Sequence, residues 1–542
     1  MTFIPSPQQE AFHIEATTGS GSVILIAVAG AGKTTVILRA VRNMRGNSII
    51  LAFNKKIAEE IKGKLKRDNV DWRQAEAATL HSIGLRNYRK TFPNVRTHQH
   101  KVADITSSWI ESGRIGPGLA PHVSVVLQLV SLAKQNGVSV QGQGDISDAS
   151  IWEDIVEHFD LFDEEALEKK AEDLIELAID VLKESNQNTD VIDFDDMIYL
   201  PLLYQIRFFQ FDNVFLDEAQ DTNTVRRLLA RCLMKPTGRL FAVGDPHQAI
   251  YGFTGADNDS LDLIKRDFNA KEMPLTVTYR CPKSVVKFAQ TWVNHIQAHP
   301  SAPEGNITIS AFEQIIANRH LLNGDAAILC RNTRPLVNAA FALIREKIPC
   351  RIEGRDIGEA LKKLATRWKS IDTIGELEEK LEEWVERERE KWIPKKKLAK
   401  VQEAEDKVET LKVIIDACRE DKRHDIPAVV AYIDNIFSDN VQGILTLSTI
   451  HRSKGREWQR VYWLDRYTTC PSKYATMDWE KEQERNLQYV AATRSMGELI
   501  DLLPPLPRVK PVNEIMKPPA AKPVAANDDL DIPAFLRRAK VS

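Results

Sequence analysis

Residues 23 to 40, VILIAVAGAGKTTVILRA, restrict what this chain can fold into more than any other stretch. The apolar run Val23 to Val28 has the composition of a buried strand. It leads into the small residues Ala29, Gly30, Ala31 and Gly32, then into Lys33, Thr34, Thr35 and a helical pattern. A strand feeding a small-residue turn and a helix start makes an anion site. Backbone N–H groups and the helix N-terminus converge on phosphate, Lys33 adds charge, and Thr34 offers a hydroxyl to Mg²⁺. Ala27 stands where this pattern usually has its first glycine. Such a loop calls for an α/β fold, so the rest of the chain should supply further strands that end in chemical groups.

It does. Upstream, Gln8 carries an amide whose donor and acceptor suit adenine. Ile49 to Ala52 is a second apolar run, ending in Phe53 and Asn54; a short third segment ends in Thr79 and His81. Asn213 to Leu216 runs into Asp217 and Glu218, the first placed to hold Mg²⁺ and the second to polarise a water. Leu240 to Val243 runs into Gly244 and Asp245, followed by Gln248, positioned to sense a γ-phosphate. Tyr251 and Phe253 come next, and Phe253 offers a stacking face to a base. Alternation of strands and helices from 23 to 250 predicts a parallel sheet with ligands at its carboxyl edge.

A second alternating set begins after Tyr279 and Arg280. It includes Ala326 to Arg331 and resumes at Gly443 to Leu447, leading to His451, Glu457 and finally Arg494. Two helix-rich stretches interrupt these sets. In the first, apolar residues at 167, 174, 177, 178 and 181 form one helical stripe within 166 to 182. In the second, residues 361 to 439, apolar positions recur at helical spacing on either side of Ile393-Pro394-Lys395, which predicts an antiparallel helix pair.

Composition narrows the function classes. At 542 residues the chain should hold three or four domains of ~150 residues each. The net charge of −3 means that a nucleic-acid surface must be a local channel and not a global field. No apolar run reaches the ~18 residues of a membrane span, and the first residues lack the pattern of a secretory leader. Six scattered cysteines without a CxxC pair argue against zinc, iron–sulfur or disulfide frameworks, and for the cytosol.

Taken in order from Gln8 to Arg494, about eight segments match the motifs of the superfamily 1A DNA helicases, and the chain resembles the compact members of that UvrD/Rep-like family. The resemblance implies two RecA-like P-loop motor domains with parallel sheets, each carrying a helical insert. The first motor domain would take residues 1–84 and 196–275, with its insert at 85–195. The second would take 276–360 and 440–503, with a small insert at 361–439. The resemblance further implies that Tyr279 stacks on the base of ATP, that Glu457 lies near its ribose, and that Arg280 and Arg494 reach across to the phosphates. Phe53, Asn54, Thr79, His81, Tyr251, Phe253 and His451 would contact single-stranded DNA. Thr35 stands where many members have arginine, so one phosphate contact would be missing.

The implied activity is ATP-dependent unwinding, with 3′–5′ travel, at duplex/single-strand junctions, in repair, recombination or replication. The rival reading is an ATP-gated single-strand-binding factor that displaces proteins and barely unwinds. Residues 504–542 read as a Pro/Ala/Lys tether. Its Asn527 to Arg538 portion, anchored by Ile532, Phe535 and Leu536, has the form of a short docking peptide for a protein partner.

Overall fold

The computed structural model describes residues 5–71, 73–159, 161–162, 170–250, 259–393, 398–437, 443–475 and 477–505. Residues up to Pro504 form one compact unit, and those from Pro505 onward are a second.

Two six-stranded parallel sheets organise the first unit. One contains β1 (Val23–Ala27), β2 (Ser48–Ala52), β3 (Ala75–Thr79), β4 (Phe211–Asp217), β5 (Met234–Gly244) and β6 (Lys271–Leu275), in the spatial order β3-β2-β4-β5-β1-β6. The other contains β7 (Asn306–Ser310), β8 (Ala326–Cys330), β9 (Cys350–Ile352), β10 (Leu445–Thr449), β11 (Trp458–Leu464) and β12 (Ser495–Leu502), in the order β7-β12-β11-β8-β10-β9. Every pairing within the two sheets is parallel. Helices cover both faces of a parallel sheet, which is why β2 and β8 are buried along their whole length.

Period-two alternation shares the side chains of each strand between separate cores. Ile24, Ile49 and Leu51 face the first helical insert. Val23, Leu25 and Ile50 face the opposite way, into a core that also holds Ala327, Leu329, Val461 and Trp463 from the second sheet. Ile328 and Cys330 turn outward again, to a third core shared with the second insert. Both halves therefore meet in the middle core.

The first insert is built on helices Lys101–Glu111, Val123–Asn136, Ala149–His158 and Ala171–Gln187. The stripe expected over 166–182 lies on the last of these from position 174 onward, while position 167 is outside the described residues. A buried ion cluster closes the insert against the returning chain. Lys101 Nζ lies 2.7 Å from Asp196, and Lys134 Nζ lies 2.6 Å from Asp193 and 2.7 Å from Asp196. In the second insert, helices Ile374–Trp392 and Leu398–Glu420 pack against each other, the expected pair. Among the described residues no helix is long and apolar enough to cross a membrane.

Candidate functional site

The carboxyl ends of β1, β4 and β5 bring the phosphate-type loop, Asp217, Glu218 and Asp245 together. The loop turns because Gly30 and Gly32 adopt φ of +73° and +79°. At Gly30 a Cβ would come within 2.5 Å of both Arg280 Cβ and Thr278 Oγ1, so only glycine fits where this loop meets the second half. Gly32 then starts helix Lys33–Asn43, which places Thr34 and Thr35 in its first turn, Thr35 exposed.

Glu218 sits in the left-handed region at φ +52°, where a non-glycine residue is strained by about 1–2 kcal/mol. Its carboxylate receives Lys33 Nζ at 2.7 Å and the Gln220 amide at 2.7 Å. Burial would raise its pKa, but Lys33, Lys454 and Gln220 hold it down at about 2. The adjacent Asp217 is pushed up by burial and by the Glu218 charge. Burial opposes the charge on Lys33, yet Glu218, Asp217 and Asp245 together raise its pKa. The result is a dense charge group in which Lys33 keeps Glu218 ionised beside an Asp217 whose affinity for a proton is raised.

Helix Asp478–Ala492 and the turn after it reach in from the second half. The Tyr489 hydroxyl accepts from Ala29 N–H at 2.9 Å, and Asn486 donates to the Ala249 carbonyl at 2.9 Å. Arg494, fully buried, donates to the Val490 and Arg456 carbonyls and, at 3.3 Å, to Gln248 Oε1. Gln248 in turn donates to Asp245 at 2.7 Å. Lys454 joins the Asp221 carboxylate and the Gln248 carbonyl, both at 2.6 Å. Burial, then the neighbouring Arg280, lowers the Arg494 pKa to about 10, which leaves it charged at neutral pH. Arg280 is ion-paired with Glu457, so the two residues expected at the phosphates and the ribose bind each other here.

Gln8 is hydrogen-bonded to Thr276, accepting from its N–H at 2.8 Å and donating to its hydroxyl at 3.0 Å. Its neighbour Gln9, which the sequence reading passed over, holds the loop itself. Gln9 donates to the Ala31 carbonyl at 3.1 Å and accepts from the Tyr279 hydroxyl at 3.1 Å. The signal for Gln9 lay in the Ser6-x-x-Gln9 spacing, a capping box that buries the glutamine.

The expected strand residues divide. Phe53 is exposed, and His81 stacks on Phe194 with ring centroids 3.9 Å apart. Phe194, 58% exposed, had not been singled out, although it follows Asp193 in the acidic stretch that returns to the core. Asn54 and Thr79 have their side-chain oxygens committed to helix N-caps, accepting from Ile57 N–H and Ser82 N–H. Burial holds both His81 and His451 down at about 3, so each imidazole is neutral. Tyr251 and Phe253 lie outside the described residues.

Thr34 and Asp217, the residues expected to hold Mg²⁺, both offer hard oxygen donors beside the loop. Among the described residues no group of three or more His, Cys, Asp or Glu is placed to hold a metal. A cavity of about 700 Å³ lies elsewhere, between the second insert and the second sheet, and is lined by charged side chains such as Arg334, Arg389 and Asp406.

Comparisons with known proteins agree with this geometry. Residues 7–269 match the UvrD/REP helicase N-terminal domain, and residues 355–500 match the UvrD-like helicase C-terminal domain. The chain is 22% identical over 383 residues to ATP-dependent DNA helicase PcrA of Leuconostoc citreum, covering 62% of this chain and 48% of that protein. It is 28% identical over 298 residues to ATP-dependent DNA helicase Rep of Escherichia coli strain K12, covering 50% and 41%. A probable DNA helicase II homologue of Mycoplasma pneumoniae is 24% identical over 308 residues, covering 53% and 42%. The matched stretch spans about half the length of these curated relatives, or somewhat less. With two parallel sheets in RecA-like halves and both domain matches in order along it, the chain belongs to the UvrD/Rep-like superfamily 1 helicases.

Proposed function

We propose that this protein is an ATP-driven motor that moves 3′–5′ on single-stranded DNA and unwinds duplexes at junctions, in DNA repair, recombination or replication. One observation carries the reading: Lys33 and Glu218 stand at the edge of the first sheet, while Arg494, from the second half, hydrogen-bonds Gln248, which donates to Asp245, whose charge acts on Lys33. Groups split in this way make hydrolysis depend on how the two halves meet.

In this reading Lys33, Arg280 and Arg494 neutralise charge developing on the transferred phosphoryl group. Placement of such cations is worth ~10³–10⁵ in rate. Gln8 and Tyr279 hold the base, and Glu457 lies by the ribose. Glu218 orients the attacking water once Lys33 has turned from it to phosphate. Thr34 and Asp217 would hold Mg²⁺, which would offset the negative charge of the phosphates. Phe53, His81, Phe194 and His451 form the strand surface, and stacking there is worth ~1–3 kcal/mol per base.

An ATP-gated single-strand-binding factor that displaces proteins and barely unwinds is the second reading, favoured by a compact second insert that shares its core with the second sheet. The deciding experiment measures ATPase with and without a poly-dT oligonucleotide, alongside unwinding of a 3′-tailed duplex. Strand-stimulated hydrolysis with unwinding supports the motor; stimulation without unwinding supports the second reading. Hydrolysis indifferent to the oligonucleotide removes both. Streptavidin displacement from strands labelled at either end reads the direction.

A further inference from the structure

Arg226 occupies a position that neither the phosphate chemistry nor the strand aromatics explain. It lies on helix Thr224–Cys232, just beyond the short turn Ala219–Asp221 that follows Glu218. Its Nη1 donates to the Asp221 carbonyl at 2.8 Å. The guanidinium carbon stands 5.8 Å from the centroid of the Phe53 ring. A narrow gap of about 20 Å³ is lined by Phe53, His81, Asp217, Glu218, Asp221 and Arg226 together, so strand aromatics and catalytic carboxylates share one wall. Among the described residues no carboxylate forms an ion pair with Arg226, although Lys454 pairs with the Asp221 side chain beside it.

A guanidinium has five N–H donors in a planar fork, and the contact with Asp221 uses one. Asp221 and Asp195 attract this cation without forming an ion pair, so its unused donors are open to a counter-charge that arrives from outside. A phosphate diester of a strand stacked along Phe53 and His81 is the matching anion, because the fork takes two phosphate oxygens at once.

We propose that Arg226 is a positioning residue that couples strand occupancy to hydrolysis: it grips a backbone phosphate of the single strand with its free donors while holding the Asp221 carbonyl. Asp221 ends the turn that starts at Glu218, and Gln220 within it hydrogen-bonds the Glu218 carboxylate at 2.7 Å. A pull on Arg226 therefore reaches the group that orients water, through three residues of backbone. This rests on the motor reading above and adds to it the route by which DNA stimulates turnover.

The test uses the full chain, Arg226→Gln and Arg226→Lys, with a poly-dT oligonucleotide as probe. Two quantities are read: the slope of log affinity against log salt, and the ratio of kcat with and without oligonucleotide. For Arg226→Gln the slope should become shallower by about 0.7, the value of one phosphate on a single strand. The kcat ratio should fall about tenfold, the scale of one charge-assisted hydrogen bond. Arg226→Lys should restore the slope but not the ratio, because an ammonium supplies charge without the fork. Should Arg226→Gln prove unstable to heat, Arg226→Lys carries the test by the same split. An unchanged slope in Arg226→Gln overturns the phosphate contact, and an unchanged ratio in Arg226→Lys overturns the coupling. If the wild-type protein shows no stimulation at all, the motor reading has failed. If it is stimulated and the variants match it, only the role of Arg226 has.

Discussion

At the scale of single residues, Glu218 and Lys33 neutralise each other in this structure, 2.7 Å apart. Glu218→Gln keeps an acceptor for Lys33 but loses the carboxylate that would polarise water. Turnover should fall by ~10²-fold or more, while binding of a fluorescent ATP analogue and of poly-dT stays close to wild type. Hydrolysis at the wild-type rate in a clean preparation would remove Glu218 from the mechanism. Arg494 holds Gln248 from the other half of the molecule, so Arg494→Ala should lower kcat by ~10²-fold, the scale of one lost charge-stabilising donor. Its affinity for poly-dT, measured in parallel, should change far less. Equal losses in both would make Arg494 a residue of folding alone.

At the scale of elements, the acidic stretch 193–196 ties the first insert to the first motor half through Lys101, Lys134 and Ser131. Within it, burial pushes Asp195 up to about 6, against the Ser131 hydrogen bond that favours its charge. A carboxyl raised in the folded state binds its proton more tightly there than in the unfolded chain. The stability it contributes is therefore complete below about pH 4 and is lost as pH rises through about 6. Asp195→Asn removes that dependence. Urea unfolding at pH 4 and at pH 7 should show the wild type losing on the order of 2–3 kcal/mol relative to the variant over this interval. Parallel pH profiles for the two proteins would contradict the assignment.

At the scale of the whole molecule, the middle core holds side chains from both sheets, and the compact unit ends at Pro504. Removing residues 506–542 should leave the melting temperature and poly-dT-stimulated ATPase unchanged, while abolishing one interaction in a pull-down if Ile532, Phe535 and Leu536 anchor a partner. Loss of motor activity on truncation would make the tail part of the fold and dismiss the docking peptide.

Local patterning was enough to read the first parallel sheet, the helix pair around 393–395 and the phosphate-type loop, because each is written in short-range signals; the second parallel sheet followed from the family resemblance. Continuous apolar runs mark strands buried on both faces, helical spacing marks an amphipathic pair, and small residues before Gly32-Lys33-Thr34 mark a turn open to phosphate. Contacts between residues hundreds of positions apart leave no such signal. Tyr489 under Ala29, Lys454 against Asp221, Gln9 beneath Tyr279 and Phe194 stacked on His81 each depend on how two halves or two segments meet. Polar type alone also could not say that Asn54 and Thr79 spend their oxygens on helix caps, since a cap and a ligand contact ask for the same atoms. The sequence by itself determined which groups end the strands, because strand and turn chemistry is local. Only the tertiary structure decided which of those groups face one another, because burial and charge pairing are settled between segments and not within them.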